Sequence, residues 1–79
     1  MDPETQLNEK FRERLIHYQE LCDINRKELA CHMRVSETCL SKWMSQSKNW
    51  SRTKIIQVAY DLDYEIEDLL IEYDEQIQP

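Results

Sequence analysis

Seven basic residues fall between positions 26 and 54: Arg26, Lys27, Arg34, Lys42, Lys48, Arg52 and Lys54. Only Glu28 and Glu37 oppose them, so this stretch carries a net +5. Ammonium and guanidinium groups gathered in this way can hold phosphate, the one chemistry the charge pattern favours. The sign reverses on both sides. Residues 1–25 hold six acids against three bases, and residues 55–79 hold eight acids and no base. The overall charge of −6 opposes nucleic acid at long range, whereas a basic centre between acidic ends is an asymmetry a partner can read.

Other chemistries find less support. His17, Cys22, Cys31, His32 and Cys39 form no C-x₂-C or H-x₃-H pair, so no zinc site is expected. Three cysteines are an odd set for a disulfide framework, and they read as small, weak hydrophobes filling gaps in a core. The carboxylates crowd the last 25 residues with no histidine or base among them, which offers no acid–base pair for an enzyme. Glycine is absent, which excludes a phosphate-binding P-loop and a dinucleotide fingerprint, so no cofactor is expected. No apolar run approaches the roughly 20 residues of a membrane span. Met1 to Glu13 lacks the apolar stretch of a secretory leader, so a cytoplasmic chain is expected.

The basic centre must be positioned by helices. Leu7, Phe11, Leu15, Tyr18 and Cys22 step by three and four, the stripe of an amphipathic helix over about 5–22. Asp23-Ile24-Asn25 breaks it, and Asn25 can cap a short second helix over 26–33 with Leu29, Ala30 and Met33 inward. Arg34-Val35-Ser36 is a tight turn. Ser36 can cap a third helix to about 45, with Leu40, Trp43 and Met44 inward. Residues 46–50 read as a polar loop, where Trp50 either anchors the loop or remains an exposed contact. Ser51 can cap a fourth helix carrying Ile55, Ile56, Ala59 and Leu62. After Asp63-Tyr64 comes a fifth helix with Ile66, Leu69, Leu70 and Tyr73, so that helices four and five span about 51–75. The expectation is one all-α domain of five short helices.

The run INRKELACHMRVSETCLSKW, followed by RTKIIQVAYDLDYEIEDLL, resembles the helix-turn-helix domain of the phage repressor and Cro class, the XRE family. Asn25, Arg26 and Glu28-Leu29-Ala30 match the family's capped second helix. Val35-Ser36 matches the end of its turn, Leu40-Ser41 its recognition helix, and Leu62 with Leu69-Leu70 its closing helices. The resemblance spans Ile24 to Leu70 and implies a lambda-repressor-like fold with its helix-turn-helix at about 25–46. It departs at Arg34 and Gln46, where the family often has glycine. A non-glycine residue at position 34 would adopt a positive φ at a cost of about 1 kcal/mol.

The resemblance implies a sequence-specific DNA-binding transcriptional regulator, a repressor, with helix 36–45 in the major groove. Glu37, Thr38, Ser41 and Lys42 would then face base edges or phosphates. Arg26 would grip a phosphate, with Lys27, Lys48 and Arg52 on the same side, and Lys48 and Asn49 in a loop that touches backbone. Proteins of this class often dimerise through the last helix. Leu70, Tyr73 and Ile77 prolong its apolar stripe and would form a homodimer interface. The alternative is a protein-interaction module, or an antitoxin-type accessory factor, that docks a partner on the acidic C-terminal segment.

Overall fold

The computed structural model describes residues 2–45, 48–63 and 69–70. Its elements among these residues are all helical: α1 (Pro3–Cys22), α2 (Arg26–Met33), α3 (Glu37–Met44) and α4 (Arg52–Asp61). Four helices therefore stand among the described residues where five were expected. The fifth falls mostly outside them, although Leu69 and Leu70 are helical. Gln46, Ile66, Tyr73 and Ile77 also lie outside the described residues.

Each helix starts on a side chain that accepts the backbone N–H groups its first turn leaves unpaired. Asn25 accepts from the Glu28 N–H at 2.8 Å, Ser36 from Cys39 at 3.0 Å and Ser51 from Lys54 at 3.2 Å. α1 begins two residues before the start expected from periodicity. The reason is Asp2, whose carboxylate accepts from the N–H groups of Glu4 and Thr5, with Pro3 preset for a first helical position. The Thr5 hydroxyl donates to the same carboxylate. These hydrogen bonds hold the Asp2 carboxyl below the usual carboxylate range.

The first two helices end alike, without glycine. Asp23 (φ 53°) and Arg34 (φ 57°) both adopt the left-handed conformation. The N–H of Asp23 donates to the Glu20 carbonyl, and that of Ile24 to Gln19. At the second end Arg34 donates to Cys31 and Val35 to Ala30. Both are Schellman closures, and each returns an apolar residue, Ile24 or Val35, against the core. Arg34 thus takes the positive φ that its position demanded.

The core joins Leu7, Phe11 and Leu15 of α1 to Leu29, Ala30 and Met33 of α2. Leu40 and Trp43 of α3 and Ile55, Val58 and Ala59 of α4 complete its centre. Fully burying a side chain of the leucine or phenylalanine kind contributes about 1.5–3 kcal/mol. α2 packs against both α3 and α4, and α1 against α4.

Three inward assignments need correction. Ile56 is 37% exposed, because the buried stripe of α4 runs through Ile55, Val58, Ala59 and Leu62, leaving position 56 one step off the face. Cys22 and Cys31 are exposed and fill no gap. Cys31 follows the Leu29–Ala30 face of its helix, and the turn at Asp23 brings Ile24, not Cys22, back to the core. Only Cys39 is half-buried and packed against the core. No helix among the described residues is long and apolar enough to cross a membrane.

Candidate nucleic-acid interface

Two polar residues of α1 hold the stretch Lys48 to Trp50 that precedes α4. Asn8 (0% exposed) and Arg12 (5% exposed) are one helical turn apart, beside the Leu7–Phe11–Leu15 stripe. The Asn8 Oδ1 accepts from the Trp43 indole Nε1 at 2.7 Å and from the Trp50 N–H at 2.8 Å. Its Nδ2 donates to the carbonyls of Glu4 (2.7 Å) and Trp50 (2.8 Å). This amide therefore meets four partners, the full capacity of its donors and acceptor lone pairs.

Arg12 ties α3 to the same loop. Its Nε donates to the Trp43 carbonyl at 2.6 Å, in the last turn of α3. A cation there complements the negative end of the helix dipole. Its Nη2 donates to the Lys48 carbonyl (3.3 Å) and to the Asn49 Oδ1 (3.0 Å). Burial pushes the Arg12 pKa down, with a smaller opposing effect from Glu9.

The two tryptophans lie against each other over this network. Their rings are parallel within 2°, with centroids 4.0 Å apart. Trp43 is in the core, as its helical position implied. Trp50, 6% exposed, is a loop anchor and not an exposed contact. The Arg12 guanidinium lies 5.0 Å from the Trp43 ring centroid, and the Lys54 ammonium 5.6 Å from that of Trp50.

Between α3 and the start of α4 this packing leaves an open groove of about 560 Å³. Thr38, Lys42, Lys48, Asn49, Ser51 and Lys54 are among the residues lining it, and among the described residues no carboxylate does. The caps Ser36 and Ser51 also border it, so the N-terminal ends of α3 and α4 open onto the same space. Each such end carries a partial positive charge of about half a unit. Three ammonium groups and two helix N-termini make a setting for phosphate.

Three of the eight residues expected at a DNA surface line the groove: Thr38, Lys42 and Lys48, all exposed. Glu37 (exposed), Ser41 and Arg52 (both half-buried) lie outside its lining. Arg26 is exposed elsewhere, in a depression shared with Glu20 and Asp23 at the end of α1. Lys27 is exposed and lines neither.

Residue-by-residue reading missed Lys54, Asn8 and Arg12. The signal for Lys54 was its place three residues after the Ser51 cap. For the α1 pair it was a polar i, i+4 couple abutting an apolar stripe. Asn49, expected near phosphate with Lys48, has its amide engaged internally. Its Nδ2 donates to the Thr5 Oγ1 at 3.2 Å while its Oδ1 accepts from Arg12.

Among the described residues no group of three histidine, cysteine or carboxylate side chains is placed to share a metal ion. No family model, curated protein or solved structure matches the chain.

Proposed function

We propose that this chain is a sequence-specific DNA-binding regulator of transcription. In this reading α2 and α3 form a helix-turn-helix of the repressor and Cro type, with α3 in the major groove. One observation carries it: a groove beside the exposed start of α3 that Lys42, Lys48, Lys54 and Thr38 line and that no carboxylate lines among the described residues. Lys48 and Lys54 hold phosphates of one strand, and Arg26 with Lys27 approaches a second stretch of backbone. Thr38 and Lys42, one turn apart on α3, reach base edges, with Glu37 and Ser41 alongside. The chain regulates by occluding a promoter, in the manner of a repressor. It acts as a homodimer through its C-terminal segment, where Leu70 packs partly against the core of its own chain and leaves the rest of its side chain exposed. Two copies then read half-sites one helical turn apart.

The test is selection of bound sequences from a random duplex pool at low salt, followed by titration of the selected site at 50 and 200 mM salt. A palindromic site whose affinity falls steeply with salt is the expected result. No enrichment and no low-salt binding would overturn the reading and move attention to a protein partner for residues 61–75. Light scattering at tens of micromolar checks the dimer separately, and a monomeric mass would remove it.

A further inference from the structure

We propose that Arg12, seconded by Asn8, is the positioning residue of the groove. From within α1 it sets where Lys48 presents its charge, without itself meeting the ligand. The inference rests on the DNA reading for the identity of that ligand.

The loop is held residue by residue from one face of α1. The Lys48 carbonyl and the Asn49 side chain both accept from Arg12. The Asn49 amide reaches Thr5, and the Trp50 N–H and carbonyl both bond Asn8. Three consecutive loop residues thus hang on positions 5, 8 and 12. The opposite wall hangs on the same two side chains, since Trp43 gives its carbonyl to Arg12 and its indole N–H to Asn8. The separation of α3 from Lys48 therefore depends on this pair, together with the stack of Trp43 on Trp50.

Stability alone does not call for this arrangement. A buried charge loses hydration, and a well-packed apolar residue often serves a core equally well or better. What apolar packing cannot supply is a fork of donors that fixes two carbonyls and a side-chain oxygen together. The contact fixed is that of the backbone at Lys48, whose side chain is exposed and lines the groove.

The test is a double-mutant cycle on the selected duplex, using parent, Arg12→Met, Lys48→Ala and the double variant, each checked for helix content. Arg12→Met should lower the slope of log affinity against log salt by about 0.9, the loss of one phosphate contact. Lys48→Ala should do the same, and the double variant should be no worse than either. Sequence preference should not change. Additive losses, or an unchanged slope, would give Arg12 a purely structural role and overturn the inference. If Arg12→Met fails to fold, Arg12→Lys keeps the charge and loses the fork, and should show the same coupling to Lys48. A parent that binds no duplex defeats the DNA reading. The clamp is then decided by hydrogen exchange at the Trp50 amide. Exchange no faster in the variant than in the parent overturns it, and faster exchange supports it.

Discussion

Arg26 opens α2 and Arg52 opens α4, each directly after its cap, so both helices begin with a base where the helix dipole already points its positive end. A base there is unfavourable by about 0.3–1 kcal/mol. The surroundings differ. In α2, Glu28 sits in the same first turn, and Arg26 shares its depression with Glu20 and Asp23. The first turn of α4 has no acid and adds Lys54, on a groove that no carboxylate lines among the described residues. The chain thus answers positive charge with its own acids at one helix start and gathers more of it at the other. The second region is also the one built on a buried hydrogen-bond network. Concentrated charge on a held frame is what a phosphate contact requires, so under the proposed DNA reading the groove is the main anchor and the α2 end the lesser one.

Removing the frame should have the largest effect. Asn8→Ala would leave the Trp43 indole, the Trp50 N–H and the Trp50 carbonyl without their buried partner, at a cost of about 2–4 kcal/mol in urea unfolding. A change below about 0.5 kcal/mol would mean that the loop does not depend on this residue. Next comes the contrast itself. Lys48→Ala with Lys54→Ala should lower the salt slope of duplex binding by about 1.8, and Arg26→Ala by at most about 0.9. Equal losses per residue would erase the difference between the two regions. Arg34→Gly should stabilise by about 1 kcal/mol, because glycine accepts φ 57° without a Cβ clash. In a domain of this size that raises Tm by about 4–8 °C. The variant also removes a base outside the groove, so its salt slope should match the parent's.

The smallest effect is a titration. The Asp2 pKa is lowered in the folded chain, chiefly by the Thr5 hydroxyl and backbone N–H. Its contribution is therefore complete above the unfolded carboxylate pKa and fades as pH falls through the lowered value. Thr5 also receives the Asn49 amide. Acid should accordingly shift the backbone NMR signals of Thr5 and Asn49 together, leaving those of Arg26 and Lys27 in place. Independent titration of Thr5 and Asn49 would separate the cap from the loop.

Much of the frame was legible from local chemistry. Asn25, Ser36 and Ser51 are capping residues at breaks in periodicity, and each caps its helix. The inward positions of α2 and α3 follow from spacing alone. What spacing cannot reveal is long-range pairing. Asn8 and Arg12 meet residues more than 30 positions away, and a polar side chain beside an apolar stripe reads as surface until its partner is known. The same limit applies to Trp50, whose burial depends on Trp43. Of the groove, α3 was legible from the Ser36 cap and the spacing of Leu40 and Trp43, whereas the place of Lys54 on it and the separation of Arg26 from it needed packing to reveal them.

The stacked indoles have a further use. Trp43 and Trp50 are the only tryptophans in the chain, and their rings lie parallel at 4.0 Å. Two identical chromophores at that separation share their excited states, and the coupling vanishes when they part. One indole belongs to α3 and the other to the groove's second wall, so the pair works as an unlabelled optical gauge of whether those walls are together. Its signal would follow the loop during folding, under acid and as a ligand enters the groove.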